Sequence, residues 1–329
     1  MKANWSSSLI ITIGLAILLV AAMAVAGCTD TANKNTPAAT PVSTPAAVVT
    51  AQGAAPAATT AAPAQITAAP AAPKQKQTIK ISGSTTVLPI IQKAADKYMN
   101  AHPEADIQIS GGGSGVGIQM ISAKTVDIGM ASRDLTKAEL AKNPSFVVTS
   151  VAQDGIAIIV NPANTIPYIT LDQLKNIYLG KITKWTEITG AGVPNTNNQI
   201  VIVGRDSASG TRVFFDETIL LKATPINKML EKNSNGAVTQ TVAQTPGAIG
   251  YVSIGFVSND VKAVPVWYDG QRIVAPTLDN IKTKTYPISR DMWIITNGNP
   301  SGLAGDFIKF IMSAEGQKIV ADEGFVTVK

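Results

Sequence analysis

Two residue types that build much of metal and thiol chemistry are almost missing from this chain. Its 329 residues include one Cys and one His. A single Cys closes no intramolecular disulfide and builds no thiolate zinc site. A single His excludes a multi-histidine metal centre, and any Ser-His-Asp or Cys-His site would have to use His102. Carboxylates are scattered without metal-ligand spacing, so no metal and no cofactor is expected. Nucleotide-binding signatures are absent as well. No G-x-x-x-x-G-K-[ST] run occurs, and the one glycine-rich loop does not fit G-x-G-x-x-G. The same loop fails the G-x-S-x-G elbow, because Val116 stands where the last Gly is needed. Aromatics make up only 5% of the chain, and none interleave with basic residues as nucleic-acid binding would require.

What is present begins with a leader. Lys2 precedes a short polar stretch, and an apolar run then extends from Leu9 to Ala26. A positive start, an apolar middle and small residues at the end make a secretory signal. The run is nearly long enough to span a bilayer, but it ends in Val25-Ala26-Gly27-Cys28. That sequence resembles a lipobox, in which the thiol takes a diacylglyceryl group and cleavage makes Cys28 the new N-terminus. Residues 1–27 are therefore read as a lipoprotein signal peptide. Residues 28–77 are read as a lipid-anchored tether: between Thr29 and Lys76 there is no Leu, Met, Phe, Trp or Tyr. Such a segment buries too little apolar surface to offset its ordering entropy.

The formal charge of +5 changes meaning once this segment is set aside. Residues 1–76 hold Lys2, Lys34, Lys74 and Lys76 against Asp30, leaving 23 basic and 21 acidic groups beyond. The remainder is near neutrality, and the nucleic-acid reading loses its main support.

From residue 78 onward the pattern is strand, small-residue loop, helix. Thr78 to Ser82, Asp106 to Ser110, Asp127 to Met130 and Phe146 to Val160 read as strands, with helical stretches after Pro89 and through Ser122. The second half repeats the alternation. Helices are expected from Leu171 to Leu179 and from Arg212 to about Leu221. Strands are expected at Gln199–Val203, Gly247–Val252, Val264–Trp267 and Met292–Ile295. A last helical region, Leu303 to Val320, is expected to break near Gly316. This order predicts mainly parallel sheets with helices on their faces.

Three loops follow strands and open helices: Gly83–Thr86, Gly111–Gly115 and Ser207–Thr211. One such loop is ordinary helix capping. Three at strand ends point to convergence on one anion, since helix N-termini supply unpaired N–H groups and Ser/Thr add hydroxyl donors. Arg205, at a strand end just before the third loop, suits a tetrahedral oxyanion. Arg212 lies in a helical run, where pairing with Asp216 is the plainer reading. His102 sits in a turn before Pro103 and reads as a surface residue, so the chain shows no engine for catalysis.

Taken together these runs resemble the phosphate-binding lipoproteins of ABC-type uptake systems, the PstS family. The carriers are Gly83-Ser84-Thr85-Thr86-Val87-Leu88-Pro89, Gly111-Gly112-Gly113-Ser114-Gly115, Asp127-Ile128-Gly129-Met130-Ala131-Ser132-Arg133, Asp154-Gly155-Ile156-Ala157, Gly180-Lys181-Ile182-Thr183-Lys184-Trp185, Arg205 with Ser209-Gly210-Thr211, and Gly247-Ala248-Ile249-Gly250-Tyr251-Val252. The resemblance implies an α/β, two-lobed periplasmic-binding-protein type II fold, a Venus-flytrap. Each lobe would be a mainly parallel sheet flanked by helices, and two hinge strands would join them. Lobe I would be 78–159 plus 287–329, and lobe II 160–286.

The resemblance implies phosphate ligands Ser84, Thr85, Thr86, Ser114, Ser132, Arg205, Ser209, Gly210 and Thr211. It also implies a non-catalytic monomer outside the cytoplasmic membrane that hands phosphate to ABC permease subunits. In many members a Ser-Asp pair follows the third strand and its Asp accepts the ligand's proton. Here Ser132 is followed by Arg133, so the acceptor is open among Asp134, Asp154, Asp206 and the Ser132 hydroxyl. Asp134 could instead cap a helix or pair with Arg133, and Asp206 could brace Arg205. The alternatives are a receptor for sulfate, molybdate or tungstate, a hydrolase or phosphatase using a loop Ser, and a surface lipoprotein that has lost its ligand.

Overall fold

The computed structural model describes residues 75–188 and 199–329. The expected signal peptide, Cys28 and the tether up to residue 74 lie outside the described residues. Among the described residues no helix is long and apolar enough to cross a membrane.

The chain opens with β1 (Gln77–Gly83), α1 (Leu88–Ala101), β2 (Ala105–Gly112), α2 (Ser114–Ser122) and β3 (Ile128–Ala131). Then come α3 (Lys137–Lys142) and the long β4 (Phe146–Val160). The alternation repeats in β5 (Ile169–Thr170), α4 (Leu171–Tyr178), β6 (Val201–Arg205), α5 (Gly210–Thr218), β7 (Leu230–Lys232), α6 (Asn235–Gln244) and β8 (Ala248–Ser253). Short strands β9 (Lys262–Val264), β10 (Val266–Tyr268) and β11 (Arg272–Val274) lead to α7 (Leu278–Lys282), β12 (Ser289–Asn297), α8 (Gly302–Ile311) and α9 (Ala314–Asp322).

Local sequence accounts for most of these elements. In β1, Ile79 and Ile81 are buried while Lys80 is exposed, the period of two that a half-buried strand requires. In α1, Ile90, Ile91, Ala94, Ala95 and Tyr98 form the buried stripe, and Pro89 sits in the first turn, where its missing N–H is harmless. Two expectations are corrected. Val264–Trp267 is not one strand, because Pro265 separates β9 from β10 and cannot donate to a ladder. The C-terminal helical region breaks between Ile311 and Ala314, where Ser313 caps the new helix by accepting the Gly316 amide. Gly316 itself lies inside α9, pressed against the carbonyls of Phe310 and Ile311.

The main sheet runs β2-β1-β3-β12-β4-β8-β6-β7, with β9 also on β4. β1 is parallel to β2 and β3, and β6 is parallel to β7 and β8, whereas β12 and β4 run antiparallel to their neighbours. β4 changes partner along its length. Phe146 to Gly155 lies opposite β12, and Ile156 to Val160 lies opposite β8. Separate apolar clusters form on either side of that change. One packs α1, α8 and α9 through Ile90, Ile91, Phe307 and Val320. The other packs α4 and α5 through Leu174, Tyr178, Phe215 and Tyr251. This is the two-lobed α/β architecture the sequence leads one to expect.

Close packing of α2 on the sheet depends on one glycine. A Cβ at Gly117 would fall 2.7 Å from both Gly83 Cα and Ser82 O, and 2.8 Å from Met130 O. These are backbone atoms that cannot swing aside. Gly117→Ala is therefore expected to lose about 1–3 kcal/mol of stability through overpacking. Urea denaturation would read this as a lower midpoint, and an unchanged midpoint would mean that α2 lifts freely from the sheet.

Candidate functional site

Parallel pairing sends the C-terminal ends of β1, β2, β3, β6 and β7 into loops that open helices, the usual place for ligand binding in open α/β sheets. Four helix N-termini bring polar groups into one cluster. Ahead of α1, Ser84 Oγ accepts the amides of Thr86 (3.2 Å) and Val87 (3.4 Å). At the start of α2, Ser114 is fully buried and its Oγ accepts the Ser132 amide at 3.0 Å. Ser209 caps α5 by accepting the Arg212 amide at 3.2 Å. Asn235 opens α6, and its Nδ2 donates to Thr86 Oγ1 at 2.8 Å.

Contacts between these groups close the cluster. Thr86 and Thr211 share a hydroxyl–hydroxyl hydrogen bond of 3.1 Å. Ser114 and Ser132 lie 3.3 Å apart through their hydroxyls. The Gly115 amide donates to Ala208 O at 3.1 Å. A side chain at Gly210 would collide with Ser114 Oγ, so only glycine lets α5 approach α2 this closely. Gly113, with φ 97°, is held by the same approach, since a Cβ there would meet Ala208 O at 2.5 Å.

Two guanidiniums serve the cluster. Arg205 is 1% exposed. Its Nε donates to Lys232 O at 3.1 Å, and Nη2 donates to Asn233 O and Thr85 Oγ1, both at 3.1 Å. Its amide donates to Tyr251 Oη at 3.3 Å. Arg205 Nη1 is buried and has no hydrogen-bond partner. Burial pulls this guanidinium below the ordinary arginine value, opposed by nearby Asp206.

Arg290 was not singled out from sequence. Its Nε and Nη2 donate to Asp154 Oδ2 at 2.9 and 2.7 Å, Nη1 donates to Ser132 O at 2.6 Å, and Nη2 also reaches Thr211 Oγ1 at 3.0 Å. Burial lowers its pKa too, against the pull of Asp154. Of the buried charged groups here, Arg205 and Arg290 are cations and Asp154 is the anion, so the buried charge of the cluster is net positive.

The candidate carboxylates have separate places. Asp154 is fully buried and braces Arg290, not Arg205. Asp206 Oδ1 accepts the Ala208 amide at 2.9 Å and makes no hydrogen bond to Arg205. Asp134 is exposed and accepts from Trp293 Nε1 at 3.0 Å. It makes no ion pair with Arg133, whose guanidinium instead grips Glu139 at 2.8 and 2.9 Å and holds that carboxyl below its usual range. Arg212 pairs with Asp216 (3.4 Å) and Glu231 (2.6 Å) and donates to Arg205 O, so it buttresses the loop from outside.

The cluster can donate hydrogen bonds from several directions and supply positive charge. No histidine stands beside its serines: His102 stacks on Tyr98 elsewhere, with centroids 4.3 Å apart. Among the described residues no group of His, Cys, Asp or Glu could hold a metal ion.

Comparison with known proteins agrees with this geometry. Residues 34–315 match the model of the PBP superfamily domain. The phosphate-binding protein PstS of Bacillus subtilis is 36% identical over 256 residues, spanning 78% of this chain and 82% of that protein. The PstS of Borreliella burgdorferi is 29% identical over 267 residues, or 77% and 91% of the two chains. A Clostridium perfringens protein assigned as a phosphate ABC transporter substrate-binding protein was solved with bound phosphate. It superposes with a TM-score of 0.70 at 36% identity, covering 77% of this chain and all of that one. An ABC-type phosphate transport receptor from Vibrio cholerae gives 0.63 at 33% identity, covering 76% and 99%. By sequence and by fold, the chain belongs to the PstS family of phosphate-binding proteins.

Proposed function

We propose that this protein captures inorganic phosphate outside the cytoplasmic membrane and delivers it, unaltered, to the permease subunits of an ABC transporter. The observation that carries the reading is Arg205: a buried guanidinium with an unpartnered Nη1, among hydroxyls and four helix N-termini. A buried charge without full partners is unfavourable, and a tetrahedral oxyanion would supply them. Phosphate would be held by Ser84, Thr85, Thr86, Ser114, Ser132, Arg205, Ser209, Gly210 and Thr211, with Arg290 and Asn235 fixing two of the threonines. Lobe I would be 78–159 plus 287–329 and lobe II 160–286, a division supported by the change of partner along β4. Cys28 would carry the lipid that keeps the protein at the outer face of the membrane.

Calorimetric titration of phosphate into the purified protein tests this. Saturable one-to-one binding, with sulfate much weaker, is expected. Failure to bind phosphate, or hydrolysis of a phosphate ester at the site, would overturn it. One observation favours a different oxyanion as the second reading: Asp154, the fully buried carboxylate of the cluster, has both oxygens taken by Arg290, Ser253 and the Ile254 amide.

A further inference from the structure

Phosphate near neutral pH carries one or two protons, and sulfate carries none. A buried site that prefers phosphate needs at least one acceptor aimed at it, because an acceptor facing a bare sulfate oxygen stays unpaired. The fully buried carboxylate does not supply that acceptor. A carboxylate offers about four lone-pair positions, and those of Asp154 are all taken. Oδ2 accepts twice from Arg290, while Oδ1 accepts from Ser253 Oγ (2.6 Å) and the Ile254 amide (3.2 Å). Asp134 is exposed and turned to Trp293, and Asp206 is only half-buried and spends Oδ1 on the Ala208 amide, so neither is a buried acceptor. The neighbouring carbonyls each accept an N–H already: Lys232 O and Asn233 O from Arg205, Ser132 O from Arg290, Ala208 O from Gly115.

The hydroxyls separate into two kinds. Six of them already accept from an N–H: Ser84 from two backbone amides, Thr85 from Arg205, Thr86 from Asn235, Ser114 from the Ser132 amide, Ser209 from the Arg212 amide and Thr211 from Arg290. Accepting an N–H takes one of a hydroxyl's two lone pairs and favours donation by its own proton, although Thr86 and Thr211 spend one proton on each other. Ser132 Oγ is the exception. Among the described residues no N–H donates to it, and its hydrogen-bond contact is the hydroxyl of Ser114, which can take the Ser132 proton and leave the Ser132 lone pairs for the ligand.

We propose that Ser132 Oγ accepts the proton of bound phosphate and is the residue by which this site tells phosphate from sulfate. The proposal rests on the phosphate reading above. One acceptor among many donors also selects a protonation state. The monohydrogen dianion brings one proton for one acceptor, whereas the dihydrogen monoanion turns a second proton against donors.

The test is calorimetry on the purified protein with phosphate and with sulfate, repeated across the second ionisation of phosphate. Wild-type affinity for phosphate is expected to rise with pH through that range. Ser132→Ala is expected to weaken phosphate by about tenfold to a hundredfold, the scale of one unmade buried hydrogen bond, and to leave sulfate unchanged. Ser114→Ala should weaken both anions alike. Should the alanine variant not fold, Ser132→Cys keeps the volume and presents only a weak acceptor, and the same loss of preference is expected.

An unchanged phosphate-to-sulfate ratio in both Ser132 variants would overturn the proposal while leaving phosphate capture standing. So would equal losses for both anions, or a wild-type affinity that falls with rising pH. A wild-type protein that binds no phosphate would instead sink the functional reading, and this proposal with it.

Discussion

Arg205→Ala is expected to weaken phosphate binding by roughly 10²–10⁴-fold. The free Nη1 carries two N–H donors, and each charge-assisted bond to an oxyanion contributes about 1.5–3 kcal/mol. At 1.4 kcal/mol per tenfold, two such bonds give that range. Arg205→Lys keeps the charge but loses the fork, since Nε and Nη2 are what fix the group on Lys232 O, Asn233 O and Thr85 Oγ1. An intermediate loss is expected for it. Titration calorimetry on both variants reads the effect. A change below tenfold for the alanine variant would mean that Arg205 faces the protein and not the ligand.

The largest effect on stability is expected at Asp154. Its carboxylate is fully buried and accepts from Arg290, Ser253 and the Ile254 amide. Removing it leaves the Arg290 guanidinium, itself almost without solvent contact, as an uncompensated charge. Breaking a buried pair this way loses about 3–5 kcal/mol. For a folded region of this size that corresponds to a fall in Tm of roughly 6–20 °C. Calorimetric melting of Asp154→Ala checks it. A double replacement with Asp154→Leu and Arg290→Met should recover much of the loss, because a well-packed apolar pair is often as stable as a buried ion pair. A single variant that melts like the wild type would remove the pair as a support of the fold.

Much of the cluster was legible because helix N-termini leave local signatures. Gly83–Thr86, Gly111–Gly115 and Ser207–Thr211 each put small and hydroxyl residues between a strand and a helix, and all three meet. A fourth loop has the same pattern in weaker form. Asn233-Ser234-Asn235-Gly236 runs from the end of β7 into the first turn of α6, but β7 is only three residues long and has no clear strand period. Arg290 was harder to find, since its role depends on Asp154, more than a hundred residues away. The clue in the sequence is a lone acid, Asp154, shortly before one expected lobe boundary, and a base, Arg290, shortly after the other. The state of Asp134 and Asp206 was not legible either. Which way a carboxylate turns depends on tertiary neighbours such as Trp293 that no local pattern encodes.

The place of β12 in the sheet bears on how the chain reaches this fold. β12 fills the gap between β3 and β4, yet it comes after every element from β5 to α7. The first half of the protein cannot complete its sheet until nearly the whole chain has been made and brought back to it. Contacts of such long sequence separation slow folding. Until β12 arrives, β3 and the first part of β4 present unpaired strand edges, the surfaces on which incomplete chains stick to one another. The elements from β6 to β8 pair among themselves and face no such wait. A refolding chain should therefore assemble its middle first and its two ends together last.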